Sequence, residues 1–127
     1  MANKFGEAAL IAARLEVPAQ VTAAQRWDTA VRQLYPDKPY MQKKSAPKSA
    51  FLGLCEAGLV AGVAAGETSA ANRNKGYAVK AVELLRAGTH KTIPALWTAV
   101  AEGDEAPHAA QLDVVMALWK NGLIVTA

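Results

Sequence analysis

Three short marks recur in the same order in the two halves of the chain, and each signals where a helix begins, packs or stops. Asn3-Lys4 opens one apolar stretch and Asn74-Lys75 opens another. Trp27-Asp28-Thr29-Ala30-Val31 is echoed by Trp97-Thr98-Ala99-Val100. Cys55-Glu56-Ala57-Gly58-Leu59-Val60 is echoed by Trp119-Lys120-Asn121-Gly122-Leu123-Ile124. From Lys4 to Trp27 to Gly58 the steps are 23 and 31 residues; from Lys75 to Trp97 to Gly122 they are 22 and 25. The pattern predicts an all-α, compact single-domain bundle of about six helices over residues 1–127. Two pseudo-symmetric three-helix units, with residues 3–60 repeated in 74–124, would account for the echo. The alternative is an unrepeated bundle, because helix caps are stereotyped and Thr-Ala-Val or Gly-Leu-Val recurs by chance in alanine-rich chains.

Local signals place the helices. Lys4 to Leu15 reads as a helix stopped by Val17-Pro18. Thr22 and Gln25 form a Thr-x-x-Gln capping box ahead of Trp27, Val31 and Leu34, which share one face. Tyr35-Pro36 closes that helix, and residues 36–45 read as a polar, lysine-rich loop. Ser45 with Pro47 starts a third helix bearing Phe51, Leu52, Leu54 and Cys55, and Gly58 ends it. Val60 to Gly66 reads as an Ala/Gly-rich connector. In the second half, Thr68 or Asn72 caps a helix through Tyr77, Val79, Val82 and Leu85 that ends at Gly88. Thr92 with Pro94 starts a short helix bearing Leu96, Trp97 and Val100, ended by Gly103. A last helix after Pro107 carries Leu112, Val115, Met116 and Trp119 and stops at Gly122. The Trp-bearing helices and those ending in Gly-Leu-Val/Ile are the expected inner elements. No strand-period alternation competes with this reading.

Composition narrows the function classes. Hydrophobic residues make up 52% and charged residues 20%, which argues against disorder. Much of the apolar fraction is alanine, and only three Trp, three Tyr and two Phe are present, favouring closely packed helices over a β-sandwich. Cys55 is the only cysteine, so no internal disulfide can form. The apolar run from Ala8 to Ala13 is too short for a signal peptide or a membrane span. A cytoplasmic protein with no membrane contact is expected.

The formal charge of +3 is mild, but it is unevenly spread. Residues 26–48 carry a local net of +4, as do residues 73–91, while residues 102–113 are acidic. Lys43, Lys44 and Lys48 enter the third helix, and Asn72, Arg73, Asn74 and Lys75 open the fourth. Cations and free amide donors at a helix start form an anion site, although asparagines that only cap and cations that point into water would give the same sequence. A trihelical unit entered by cations and ending in Gly-Leu-Val resembles a winged-helix or helix-turn-helix DNA reader. It departs from that pattern in a loop of about ten residues between the second and third helices. Ala50, Gly53 and Ala57 leave the third helix few base-reading side chains, and its counterpart carries Asp113.

No catalytic constellation is legible. His90 and His108 are separated and have no second ligand at metal-binding spacing, so no metal and no cofactor are expected. Cys55 lies in an apolar stripe with no adjacent base. Glu102, Asp104 and Glu105 read as a solvated acidic turn. Gly62 to Thr68 fails as a phosphate loop, because its glycines are one residue too close and Glu67 stands where a lysine is needed.

The stretches Pro47 to Val60, Asn72 to Ala78 and Asp113 to Ile124 together resemble a small bacterial domain family of unknown function, over nearly the whole chain. The resemblance implies no activity; it implies a bacterial, stand-alone cytoplasmic protein. Dense apolar helices without a legible site point to a non-enzymatic protein-interaction or regulatory module, with a protein partner or self-association. The alternatives are a nucleic-acid-binding helical domain using a basic face, and an enzyme whose site the sequence does not reveal.

Overall fold

The computed structural model describes residues 4–16, 21–60, 73–101 and 110–124, apart from the side chains of residues 45 and 73–75. These residues form α1 (Phe5–Arg14), α2 (Ala23–Leu34), the one-turn α3 (Pro39–Gln42), α4 (Ser45–Glu56), α5 (Arg73–Ala87), α6 (Ile93–Ala101) and α7 (Gln111–Lys120). The described residues thus form an all-helical bundle of six full helices and one single turn. The described residues contain no strand, only an isolated antiparallel bridge between Val60 and Ile124.

The helix boundaries follow from side-chain chemistry. Thr22 Oγ1 accepts from the Gln25 backbone N–H at 3.1 Å, and Gln25 Oε1 accepts from the Thr22 N–H at 2.8 Å, completing the capping box of α2. Thr92 Oγ1 accepts from the Ala95 N–H at 3.3 Å where α6 begins. Lys44 is the N-cap of α4, and its side chain makes no capping hydrogen bond. The stops of α4 and α7 are alike: Gly58 and Gly122 take φ of 73° and 71°. Leu59 N–H then donates to the Leu54 carbonyl and Leu123 N–H to the Leu118 carbonyl, both at 2.9 Å, in the Schellman pattern. The next residue in each case is a member of the Val60–Ile124 bridge.

An aromatic cluster anchors the first half of the core. Trp27 is fully buried, with its ring centroid 6.4 Å from Phe5 and 5.5 Å from Phe51; Phe5 and Tyr35 lie 5.5 Å apart. Once Phe5 is fixed inward, helical spacing brings Ala8, Ala9, Ala12 and Ala13 inward with it, and all four are buried. Their small side chains let α1 approach α2 and α7 closely. A Cβ on Gly6 would lie 3.1 Å from Ala117 Cβ and 3.2 Å from the Asp113 carbonyl oxygen, which shows how close that approach is. Arg26, buried among these elements, donates from Nη1 to the carbonyls of Ala12 at 3.0 Å and Leu15 at 3.2 Å. It thereby satisfies groups that the end of α1 leaves without helical partners.

α4 packs on α2, α5 and α7, and α6 packs on α5 and α7. The first helix of each half packs on the last helix of the other, α1 on α7 and α5 on α4. α5 also packs on α7, and α1 has no comparable packing on α4, so the packing does not show a two-fold relation of whole units.

Two local readings are revised. Residues 36–45 contain the single turn α3, because Pro39 at its first position presets a helical φ and Gln42 Nε2 ties the turn to the Tyr35 carbonyl at 2.8 Å. Trp97 is only half-buried, its ring edge-on to Tyr77 at 5.0 Å, so α6 is more peripheral than α2. The connector from Ala61 to Gly66, the Thr68 and Asn72 caps, and the readings at Gly103 and Pro107 lie outside the described residues.

Candidate functional site

The first basic segment surrounds α3. Lys43 and Lys44 are exposed between α3 and α4. Lys48, in the first turn of α4, is held by Asp28 of α2, with Nζ 3.0 Å from Oδ1. The structure adds Tyr40, 65% exposed and the one large hydrophobic left so open among the described residues, and the exposed Lys38. Half-buried Met41 packs against the core from the same turn. A short proline-started turn therefore displays one aromatic ring among three cations. The signal for it was available as Lys38-Pro39-Tyr40 followed by Lys43-Lys44.

Arg73, Asn74 and Lys75 form the first turn of α5, and Asn72 lies outside the described residues. α4 and α5 pack on each other, so the two basic segments lead into neighbouring helices.

A second surface lies on α1. Glu7, Leu10, Ile11, Arg14 and Leu15 line a shallow groove of about 420 Å³. Leu10, Ile11 and Leu15 are half-buried and Glu7 and Arg14 exposed, while the alanines of the same helix fill the core side. The spacing of residues 7, 10, 11 and 14 puts them on one face. Leu10 and Ile11 flank the buried alanine face: both pack partly against the core and leave the rest of their side chains to the groove.

The groups most able to do chemistry are otherwise engaged or apart. Cys55 is 1% exposed, and burial pushes its thiol up to about 12, against a smaller opposing effect of Arg26. It is a protonated core side chain at neutral pH. His90 Nδ1 lies 2.9 Å from Thr89 Oγ1, and His108 is outside the described residues. Among the described residues, no three His, Cys, Asp or Glu side chains gather in a metal-binding group, and no helix is long and apolar enough to cross a membrane.

No curated protein and no solved structure matches the chain. A family model does match residues 2–125, nearly the whole length: the chain belongs to DUF6979, a family of unknown function.

Proposed function

We propose that this chain is a non-enzymatic, cytoplasmic interaction module that docks a protein partner on the outer face of α1. The observation that carries this reading is the groove of Glu7, Leu10, Ile11, Arg14 and Leu15. α1 buries Phe5 and its alanines, and it leaves Leu10 and Ile11, which pack only partly against the core, half-open together with Leu15 at its C-cap. Covering those side chains gives a partner apolar contact, and Glu7 and Arg14 at the ends of the stripe set its orientation. Photo-crosslinking in the native cell tests the reading, with a photoreactive residue at Ile11 and a control at exposed Glu83 on α5. Discrete adducts from position 11 and none from position 83 are expected. Equal or absent crosslinking at the two positions overturns the reading.

The surface around α3 favours a second reading, a single-stranded nucleic-acid contact. Exposed Tyr40 offers a stacking face, and Lys38, Lys43 and Lys44 offer phosphate contacts. Lys48, Asn72, Arg73, Asn74 and Lys75 extend this surface if they lie on the same side. Fluorescence anisotropy with a labelled oligonucleotide at low salt tests it. Affinity that falls with salt, and falls again in Tyr40→Ala and Lys43→Ala/Lys44→Ala, supports it; no binding at low salt removes it.

A further inference from the structure

The outer face of α1 is self-complementary. Residues 7–14 run Glu-Ala-Ala-Leu-Ile-Ala-Ala-Arg. Read from either end about the midpoint between Leu10 and Ile11, the octet has the same order of sizes and opposite terminal charges. Leu10 pairs with Ile11, Ala9 with Ala12, Ala8 with Ala13, and Glu7 with Arg14. The structure buries all four alanines and leaves the other four residues lining the groove. Neither Glu7 nor Arg14 has a charged partner among the described residues.

From this we infer that the occupant of the α1 face is a second copy of the same chain. The inference rests on the docking reading above and supplies its partner. A two-fold axis perpendicular to α1, passing between Leu10 and Ile11, brings a second α1 alongside in antiparallel orientation. Residue i of one copy then faces residue 21 − i of the other, in a contact of the isologous kind. Leu10 and Ile11 of each copy meet at the axis. Glu7 of each copy faces Arg14 of the other, giving two ion pairs, one on each side. A parallel arrangement would instead set Glu7 against Glu7 and Arg14 against Arg14, so the charges select the antiparallel register. A single ten-residue helix offers a contact below the ~1,200 Å² of standard interfaces, so the dimer is a weak one.

Sedimentation equilibrium of the full chain over a concentration series tests the inference, with a monomer of 13.4 kDa as reference. The wild type is expected to approach twice that mass as concentration rises. Glu7→Arg and Arg14→Glu, each at an exposed position, should weaken self-association by roughly tenfold while leaving the far-ultraviolet circular dichroism unchanged. An equimolar mixture of the two variants should regain wild-type association as a heterodimer, and the double exchange Glu7→Arg/Arg14→Glu should regain it as a homodimer. A wild type that stays monomeric into the millimolar range overturns the inference, as does association indifferent to the charge changes or not restored by mixing. A monomeric wild type together with discrete crosslinks from position 11 to a different protein would reject the self-pairing and retain the docking face.

Discussion

Lys48 Nζ sits 3.0 Å from Asp28 Oδ1, tying the first turn of α4 to α2 and occupying one of the cations the sequence offers to an anion. The side chains are 31% and 38% exposed, so solvent screens the pair and its contribution is less than about 1 kcal/mol. Asp28→Asn should therefore lower the free energy of urea unfolding by less than that amount. On the nucleic-acid reading the same variant frees Lys48 and raises affinity for single-stranded DNA at low salt; unchanged affinity would exclude Lys48 from that surface.

The stops of α4 and α7 use one device, a left-handed glycine followed by a leucine that bonds back into the helix. Gly58→Ala and Gly122→Ala should each cost about 1–2 kcal/mol, because alanine resists positive φ. At Gly122 an added Cβ would meet nothing within 4 Å, so the backbone conformation alone sets the cost there. Thermal unfolding of the two variants measures both values.

The buried thiol of Cys55 links stability to alkaline pH. In the unfolded chain it loses its proton near 9, whereas in the folded protein it holds the proton to about 12. Between those values the native state carries the extra proton, so stability falls as pH rises, by about 1.4 kcal/mol per pH unit from this group. Cys55→Ala should flatten that part of the stability–pH curve. The wild-type thiol should also resist iodoacetamide at pH 8 until urea unfolds the chain.

Trp27 combines a large buried surface with an indole Nε1 that has no hydrogen-bond partner among the described residues. Trp27→Ala should cost about 3–5 kcal/mol through the cavity it leaves beside Phe5 and Phe51. Trp27→Phe keeps part of the packing and removes the unsatisfied donor, whose desolvation penalty is about 1–3 kcal/mol. Its cost should be well below half that of the alanine variant, as chemical denaturation of the pair would report.

The parts of the fold written in short-range chemistry were legible from the sequence. Thr22 and Gln25 give the start of α2, Gly58-Leu59 and Gly122-Leu123 give two stops, and Trp27 gives a core anchor. What depends on how helices rotate and meet was not. The half-open position of Trp97 follows from where α6 docks, and that of Leu10 and Ile11, at the margin of the core, follows from Phe5 and the alanines taking the inner face of α1. The single turn at Pro39 was hidden by its exposed, lysine-rich surroundings. For the candidate surfaces, Lys43 and Lys44 were visible as charges, whereas the aromatic beside them gained meaning only from its exposure.

The most direct test of the α1 face is a dilution series followed by backbone amide resonances in solution. Concentration-dependent shifts should cluster at Glu7, Leu10, Ile11, Arg14 and Leu15 and vanish in Leu10→Lys. Shifts that cluster elsewhere, or spectra unchanged into the millimolar range with no crosslinked partner at position 11, would contradict the assignment of that face as the docking surface.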